Sequence, residues 1–226
     1  MSSLPFPASL RNKLIVSVQA PAGDPLDNVD TLRRMAVAVL RGGAGGLRAN
    51  GVECTATFRA ETTHPIIGIQ KRKIGQTLSI TPDFVSADAI ARAGADVIAL
   101  DCSVARHAQA ELWPELIARI HAELQKPALA DIATIEEALA AEANGADAVA
   151  TTLYGFTPQT GGARSVNWEM VEALVKHLHI PLVVEGHITQ PDEVRRAFRL
   201  GAFSVVVGSA ITRPESIAAR FVNAIG

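Results

Sequence analysis

The chain has 226 residues, 48% of them hydrophobic, and its 21 basic and 23 acidic side chains leave a formal net charge of −2. This balance, with only 4% aromatic residues, argues against nucleic-acid binding through bulk charge or base stacking. No apolar run nears the roughly 20 residues of a membrane span, no leader pattern opens the chain, and the two cysteines match no zinc motif, so we predict a cytoplasmic protein with no membrane partner.

A repeated Gly-Ala pair organises the chain, and each pair follows a helical pattern. A glycine just past a helix end supplies the left-handed cap, and the apolar run after it is typical of a buried strand. The pairs recur at spacings of 51, 51 and 56 residues, at 43–44, 94–95, 145–146 and 201–202.

A second series of strands interleaves with the first. Pro65, Pro127 and Pro181 each open an apolar run, and the run 13–19 occupies the same place at the start of the chain. Proline is tolerated at the first residue of a strand, where its missing N–H matters least. The two series predict eight strands, near residues 13–19, 45–49, 65–70, 96–101, 127–131, 147–152, 181–186 and 202–207.

Helical patterns lie between the strands. Thr134 and Glu137 form a capping box, and Pro191 and Pro214 suit a first helical position. Around residues 50–61 the helical pattern is weak. The predicted helices cover residues 27–43, 86–94, 110–124, 134–145, 167–178, 191–201 and 214–225.

This alternation of strand and helix predicts one α/β domain, a (β/α)₈ TIM barrel over residues 1–226 with a short N-terminal lead at 1–12. The alternative is an open, doubly wound sheet. It is disfavoured because no glycine fingerprint follows the first strand.

Polar residues follow the predicted strands at their C-terminal ends, where barrel enzymes build their active sites. This pattern favours an enzyme, although polar residues also mark the point where any strand reaches solvent. The strand ends carry Gln19, Arg48, Lys71-Arg72, Asp101, Asp131, Thr151-Thr152, Glu185 and Gly208-Ser209.

Two of these residues suit acid–base chemistry. Burial among apolar groups would lower the pKa of Lys71 and free its amine to act as a base; the alternative is a solvated lysine in a basic cluster. Glu185 ends an apolar run, where a carboxylate needs a partner, so it is either functional or part of a structural salt bridge. From the residues alone, both alternatives remain open for Glu185.

Gly208 and Ser209 resemble a phosphate cradle, which Gly186 and Arg213 would complete, because barrels often bind phosphate after strands seven and eight. The alternative is a strand-to-helix turn that needs glycine. No metal or cofactor site is predicted, and His64, His107 and His121 are expected in loops or at the surface.

About nine-tenths of the chain, from Leu14 to Pro214, resembles the N-acetylmannosamine-6-phosphate 2-epimerases, which are (β/α)₈ barrels of sialic-acid catabolism. Any one matching stretch is weak, but all of them in order make a specific signal. The stretches are LIVSVQA (14–20), GGLRANGV (45–52), PIIGIQKR (65–72), ADVIALD (95–101), ADIATIEEA (130–138), ATTLYGFT (150–157), VVEGHI (183–188) and VVVGSAITRP (205–214).

The resemblance implies roles for particular residues. Lys71 is expected to move the proton at C2 of the sugar, and Glu185 to act on the ring oxygen and O1. The expected substrate-binding residues are Gln19, Arg48, Asp131, Thr151 and Thr152, and the expected phosphate-binding residues are Gly186, His187, Gly208, Ser209 and Arg213. The chemistry implied needs a ring-opened sugar, an acid–base pair and no redox cofactor.

The chain departs from the family pattern at three places. Lys73-Ile74 replaces an acidic-aromatic pair, His187 replaces an arginine or lysine, and Tyr154 stands where serine is common. The alternatives are another phosphosugar barrel enzyme, such as a pentulose-phosphate epimerase or an aldol-type synthase, and a non-catalytic sugar-phosphate binder. Alanine-rich helical faces at 36–40 and 138–143 predict a homo-oligomer, with a dimer favoured.

Overall fold

Eight parallel strands form a closed barrel in this computed structural model, which describes residues 5–75 and 77–225. The first four residues of the predicted N-terminal lead lie outside that description. The barrel strands are β1 (Leu14–Val18), β2 (Gly46–Asn50), β3 (Ile66–Ile69), β6 (Val97–Asp101), β7 (Ala128–Asp131), β8 (Ala148–Ala150), β9 (Leu182–Glu185) and β10 (Ser204–Val207).

Closure of the barrel excludes the open doubly wound sheet. The first strand pairs with both β2 and β10, so that Val16 has a neighbour on each side, Leu47 and Val207. The strand order around the barrel is β1-β10-β9-β8-β7-β6-β3-β2. All eight predicted strands and the single (β/α)₈ barrel are therefore confirmed.

The helices lie where their patterns predict, and the capping box of Thr134 with Glu137 is present. The weak segment around 50–61 is also helical. Its helix begins after Gly51 without a side-chain cap and buries only Thr55 and Phe58, which explains its faint amphipathic pattern. The helices are α1 (Val29–Arg41), α2 (Val52–Glu61), α3 (Phe84–Arg92), α4 (Trp113–Arg119, continued by a π-helical turn at Ile120–Leu124), α5 (Ile135–Ala143), α6 (Trp168–His177), α7 (Pro191–Leu200), α8 (Ser209–Thr212) and α9 (Pro214–Asn223). In the part of the chain that the structure describes, no helix is both long and apolar enough to cross a membrane.

The sequence did not predict a two-stranded antiparallel hairpin, β4 (Lys71–Ile74) with β5 (Thr77–Ile80), which follows β3 directly. The backbone N–H of Thr81 donates to the Gln70 carbonyl, and the Thr81 hydroxyl donates to the Ala99 carbonyl on β6. The hairpin is thereby fixed at the mouth of the barrel. Charged residues obscure its alternating pattern in the sequence.

The Gly-Ala repeat has a shared structural basis in two of its copies, where an aspartate follows the pair. Asp96 accepts the backbone N–H of Ile66 at 2.8 Å and pairs with Arg59. Asp147 accepts the N–H of Ala128 at 2.7 Å and contacts the Nε2 atom of His121 at 2.6 Å. Each aspartate therefore joins the start of the preceding strand to a helix-borne basic side chain.

His121 corrects one expectation. The sequence suggested a loop or surface position, whereas the side chain is buried in the π-helical turn after α4. The reason is its partner, Asp147, because a buried imidazole is stable when its ring nitrogen is hydrogen-bonded.

Residues before the first strand close the N-terminal end of the barrel. Leu10 is fully buried against the barrel interior, and Phe6 packs edge-on against Phe203 with ring centroids 5.7 Å apart. The N–H of Asn12 donates to the carbonyl of Phe203. The described part of the N-terminal lead is thus an integral floor of the barrel.

We expect Leu10→Ala to lower the free energy of unfolding by about 2–5 kcal/mol, because it removes a fully buried side chain and leaves a cavity. Urea denaturation measures the change. The matched control is Leu112→Ala, since that leucine is 65% exposed and its loss should cost at most about 0.5 kcal/mol. Equal small effects in both variants would show that the lead does not support the barrel.

Candidate active site

A cavity of about 680 Å³ opens at the C-terminal ends of the barrel strands. Of the twelve residues predicted to act in catalysis or binding, Asp131 and Thr151 do not border this cavity. The other ten line it. Those ten are Gln19, Arg48, Lys71, Thr152, Glu185, Gly186, His187, Gly208, Ser209 and Arg213.

Arg48 is the centre of the site. Its side chain is 1% exposed and crosses the barrel interior, since β3 and β6 separate its strand from that of Asp131. The guanidinium donates two hydrogen bonds to the Asp131 carboxylate, at 3.0 and 2.5 Å, and one to Glu185 Oε2 at 2.6 Å. Burial opposes its charge, but the two carboxylates outweigh burial and raise the pKa of Arg48 above its ordinary value.

Asp131 is completely buried at the end of β7 and has no exposure to the cavity. Besides the two bonds from Arg48, its Oδ1 atom accepts the Thr152 hydroxyl at 2.6 Å. A buried carboxylate is stable only when it is paired and hydrogen-bonded, as here. Asp131 therefore positions Arg48 and Thr152 rather than forming part of the cavity surface.

Glu185 ends β9 with a carboxylate that is 12% exposed and salt-bridged to Arg48. The structural alternative from the sequence, a salt bridge, is therefore observed, yet the same carboxylate also lines the cavity. Burial, aided by the charge of Asp131, raises the pKa of Glu185 against the opposing effects of Arg48 and Lys71. Thr151 supports this strand end, because its hydroxyl accepts the N–H of Glu185 at 3.0 Å and donates to the carbonyl at 2.8 Å.

Lys71 begins the hairpin with its N–H bonded to the Asn50 side chain. Its Nζ atom donates to Gln19 Oε1 at 2.9 Å, and the amide of Gln19 donates to the Ser17 hydroxyl. Burial, followed by the charge of Arg48, lowers the pKa of Lys71, and Glu185 opposes the shift. The side chain is thus an amine held in the cavity rather than a solvated surface lysine.

One face of the hairpin lines the cavity. Lys71 pairs with Ile80 and Lys73 with Leu78 in the antiparallel register, and all four residues border the cavity. Residues two apart on a strand share a face, which explains why Lys73 accompanies Lys71. Leu78 and Ile80 were not predicted as lining residues because the sequence did not reveal the hairpin; the alternation on either side of Gly75 is the signal that could have found it.

The loops after β9 and β10 form the opposite part of the lining. Gly186 and His187 follow β9, while Ser209 begins the short helix α8, which Gly208 and Arg213 flank. The His187 Nε2 atom lies 2.8 Å from the carbonyl oxygen of Tyr154. Phe156, which was not predicted as a site residue, also borders the cavity and stacks on the ring of His187.

Asp101 shows that a strand-end carboxylate need not belong to the site. Its Oδ1 atom accepts the N–H and the hydroxyl of Ser103, and it does not border the cavity. Burial raises the pKa of Asp101, although the bonds from Ser103 oppose the shift. Within residues 5–75 and 77–225, no group of three or more His, Cys, Asp or Glu side chains could hold a metal ion.

The known proteins that are similar to this chain share one description. A family described as "Putative N-acetylmannosamine-6-phosphate epimerase" matches residues 32–226. Proteins named "Putative N-acetylmannosamine-6-phosphate 2-epimerase" are 41% identical in Clostridium perfringens, over 95% of this chain and 97% of the relative, and 40% identical in Synechococcus elongatus, over 96% and 94%. A solved structure of the N-acetylmannosamine-6-phosphate 2-epimerase from Clostridium perfringens matches with a TM-score of 0.91 at 40% identity, covering 96% of this chain and 94% of that one.

We expect Asp131→Ala to lower the free energy of unfolding by about 3–5 kcal/mol, because it removes one of the two carboxylates that compensate a buried guanidinium. Denaturant titration followed by circular dichroism measures the loss. Asp88→Ala is the matched control, since it breaks an aspartate–arginine pair whose Arg92 side chain is 79% exposed and should cost less than about 1 kcal/mol. A loss no larger than that of the control would mean that Arg48 does not depend on Asp131.

Proposed function

The chain belongs to the N-acetylmannosamine-6-phosphate 2-epimerase family, as its motifs predict, and we propose that it interconverts N-acetylmannosamine 6-phosphate and N-acetylglucosamine 6-phosphate. The enzyme is thus a carbohydrate isomerase of amino-sugar metabolism. One observation carries the proposal: Lys71, whose pKa is lowered, and Glu185, whose pKa is raised, border the same cavity as Arg48.

Glu185 acts first in the proposed reaction. Epimerisation at C2 requires the sugar ring to open, so that C2 lies beside the C1 aldehyde and its proton becomes acidic. A carboxyl group with a raised pKa keeps its proton to higher pH than an ordinary glutamate and can exchange it with the ring oxygen and O1. The bonds from Thr151 to the backbone of Glu185 keep the carboxylate at the mouth of the barrel.

Lys71 then removes the C2 proton. Only the neutral amine is a base, and burial increases its fraction near neutral pH. The negative charge that develops on the enolate faces a cavity bordered by the fixed cation of Arg48. Return of a proton to the opposite face of C2 completes the exchange of the two epimers.

The phosphate supplies binding energy remote from the reacting carbon. We propose that it lies between the loops after β9 and β10, bound by Gly186, His187, Gly208, Ser209 and Arg213. The first N–H groups of a helix have no intrahelical partner, and loops at this position of TIM barrels commonly bind phosphate. Gln19 and Thr152, which border the same cavity, are proposed to contact the sugar.

We also propose a homo-oligomer, with a dimer favoured, that acts in the cytoplasm. Helix α9 buries none of its side chains and exposes Phe221 and Val222, which supports a partner subunit on this face. Light scattering measures the mass in solution. Cys54 and Cys102 are both free thiols, as expected in the reducing cytoplasm.

We expect Lys71→Ala to lower turnover by at least about 10²-fold, the contribution of a positioned general base. Proton NMR of N-acetylmannosamine 6-phosphate in D₂O, without added metal or nicotinamide, follows both the new epimer and deuterium incorporation at C2. Lys176→Ala is the control, because Lys176 is an exposed lysine on α6 that does not border the cavity. This variant should leave both signals unchanged. Full activity in the Lys71 variant would exclude lysine as the base.

We expect the Lys71 amine to react with an amine-specific reagent with a pH midpoint below the ordinary lysine value of about 10.4. Desolvation disfavours the ammonium, so the neutral, reactive amine appears at lower pH than in water. Peptide mass spectrometry of briefly labelled protein gives the midpoint, and the same lysine in the urea-unfolded chain is the control. An equal midpoint in the folded and unfolded chains would contradict the assigned shift.

A further inference from the structure

Arg106 joins three segments of the chain at the C-terminal end of the barrel. Its guanidinium donates to the carbonyl of Asp101, which ends β6, at 2.6 Å, and to that of Glu111, which precedes α4, at 3.0 Å. It also donates to the carbonyls of Thr81 and Pro82, just after the hairpin, at 3.2 and 2.9 Å. Each of these four acceptors is a backbone oxygen, so the side chain fixes the course of the backbone around it.

The carboxylate of Asp101 orders the turn that carries Arg106. It accepts the N–H and the hydroxyl of Ser103 at 2.8 and 2.7 Å, and the Ser103 carbonyl accepts the N–H of Arg106 at 3.1 Å. Asp101 stands at a strand end, as Glu185 does, yet it does not border the cavity. Its contacts at this end of the barrel therefore serve the turn before Arg106.

Thr81 is the residue that most needs this support. It is completely buried and has a φ of 45°, which is a genuine outlier for a β-branched residue. Such a conformation persists only where the surrounding structure fixes it. Here the hydroxyl donates to the Ala99 carbonyl on β6 at 2.6 Å, and the carbonyl of Thr81 accepts from Arg106.

The position of Thr81 is passed directly to Lys71. The N–H of Thr81 donates to the Gln70 carbonyl at 2.8 Å, and the N–H of Gln70 donates to the Thr81 hydroxyl at 3.2 Å. The next residue, Lys71, pairs with Ile80 across the hairpin. A shift of Thr81 would therefore move the backbone from which the Lys71 amine extends into the cavity.

We propose that Arg106 is a positioning residue for Lys71: by holding the carbonyls of Thr81 and Pro82, it fixes the base of the hairpin and keeps the amine within reach of the C2 proton. This inference rests on the proposed function for the identity of the reaction. Lysine cannot replace arginine in this role, because a single ammonium does not span acceptors that a planar guanidinium reaches on three segments.

The test is Arg106→Lys, which retains the positive charge and removes the planar group. We expect kcat with N-acetylmannosamine 6-phosphate, from initial rates by proton NMR, to fall at least about tenfold, since misplacement by about 1 Å costs up to about 10²-fold. KM should stay within about twofold, because the proposed phosphate and sugar contacts lie on other loops. The pH midpoint for labelling of Lys71 should rise towards that of the unfolded chain, because a displaced amine is better solvated.

Arg59→Lys is the matched control. Arg59 also donates to three backbone carbonyls, each at 3.1 Å, but at the opposite end of the barrel; they belong to Thr62, His64 and Gly94. Its replacement removes similar hydrogen bonds and likewise adds one lysine to the chain. We expect this variant to keep the wild-type kcat and the wild-type labelling midpoint of Lys71.

Other charged groups act on the Lys71 amine, and neither variant replaces any of them. A change in the midpoint that is confined to Arg106→Lys therefore reports the position of the amine, since the charge at residue 106 is also retained. The charged groups around the amine are Arg48, Asp131, Glu185 and Arg213 on the barrel and Lys73 on the same face of the hairpin.

The proposal is overturned if the kcat or the midpoint of Arg106→Lys equals that of the wild-type protein, or if Arg59→Lys changes both equally. If Arg106→Lys does not fold, Ser103→Ala decides, because it keeps Arg106 and loosens its turn. That variant should change kcat and the midpoint in the same directions by smaller amounts, and no change would overturn the proposal. Because labelling needs no turnover, a raised midpoint in a protein that does not epimerise the sugar phosphate would refute the proposed function and leave the positioning of Lys71 by Arg106 standing.

Discussion

The buried guanidinium of Arg48 is the interaction on which the site depends. A cation that is buried away from water is stable only when it is paired with opposite charges. In the barrel, Asp131 and Glu185 are the carboxylates that pair with Arg48. The consequences reach further than the three side chains. Glu185 is held at the cavity by the partner it neutralises, Thr152 is tied to Asp131, and the same fixed positive charge favours the neutral form of Lys71. The charge of Arg48 thus acts on both proposed acid–base groups: it adds to the lowering of the Lys71 pKa by burial and opposes the raising of the Glu185 pKa by burial.

Much of this arrangement could be predicted from the chain, because a parallel barrel converts linear order into spatial order. Each apolar run ends at the same rim, so polar residues there, such as Glu185 and Ser209, lie around one opening. The Gly-Ala repeat marks strand starts in the same way, and Asp96 and Asp147 show why two of its copies share a following aspartate. Because the buried strands recur at regular intervals, the sequence contains a regular series of apolar runs. The barrel and its rim can be predicted from that series.

The remainder depends on contacts between distant residues that no local pattern encodes. Arg48 meets Asp131 83 positions away and Glu185 137 positions away, so the strand ends identify the partners without revealing that they bind one another or that Asp131 is hidden from the cavity. The burial of His121 is unpredictable for the same reason, since only its contact with Asp147 explains it. The hairpin escapes prediction because the charges of Lys71 and Lys73 obscure a strand whose inner face is nevertheless regular.

The hairpin of β4 and β5 affects the protonation of Lys71, which is its first residue. Two strands alone are marginally stable in water, so β4 and β5 keep their shape through their attachment to the barrel, chiefly where Thr81 bonds to Ala99 and Ile80 is buried. If this segment lifts locally, water reaches the Lys71 amine and stabilises its protonated form, which is not nucleophilic. Exclusion of water at the attached hairpin therefore increases the fraction of Lys71 that is present as the neutral amine, the form that acts as a base.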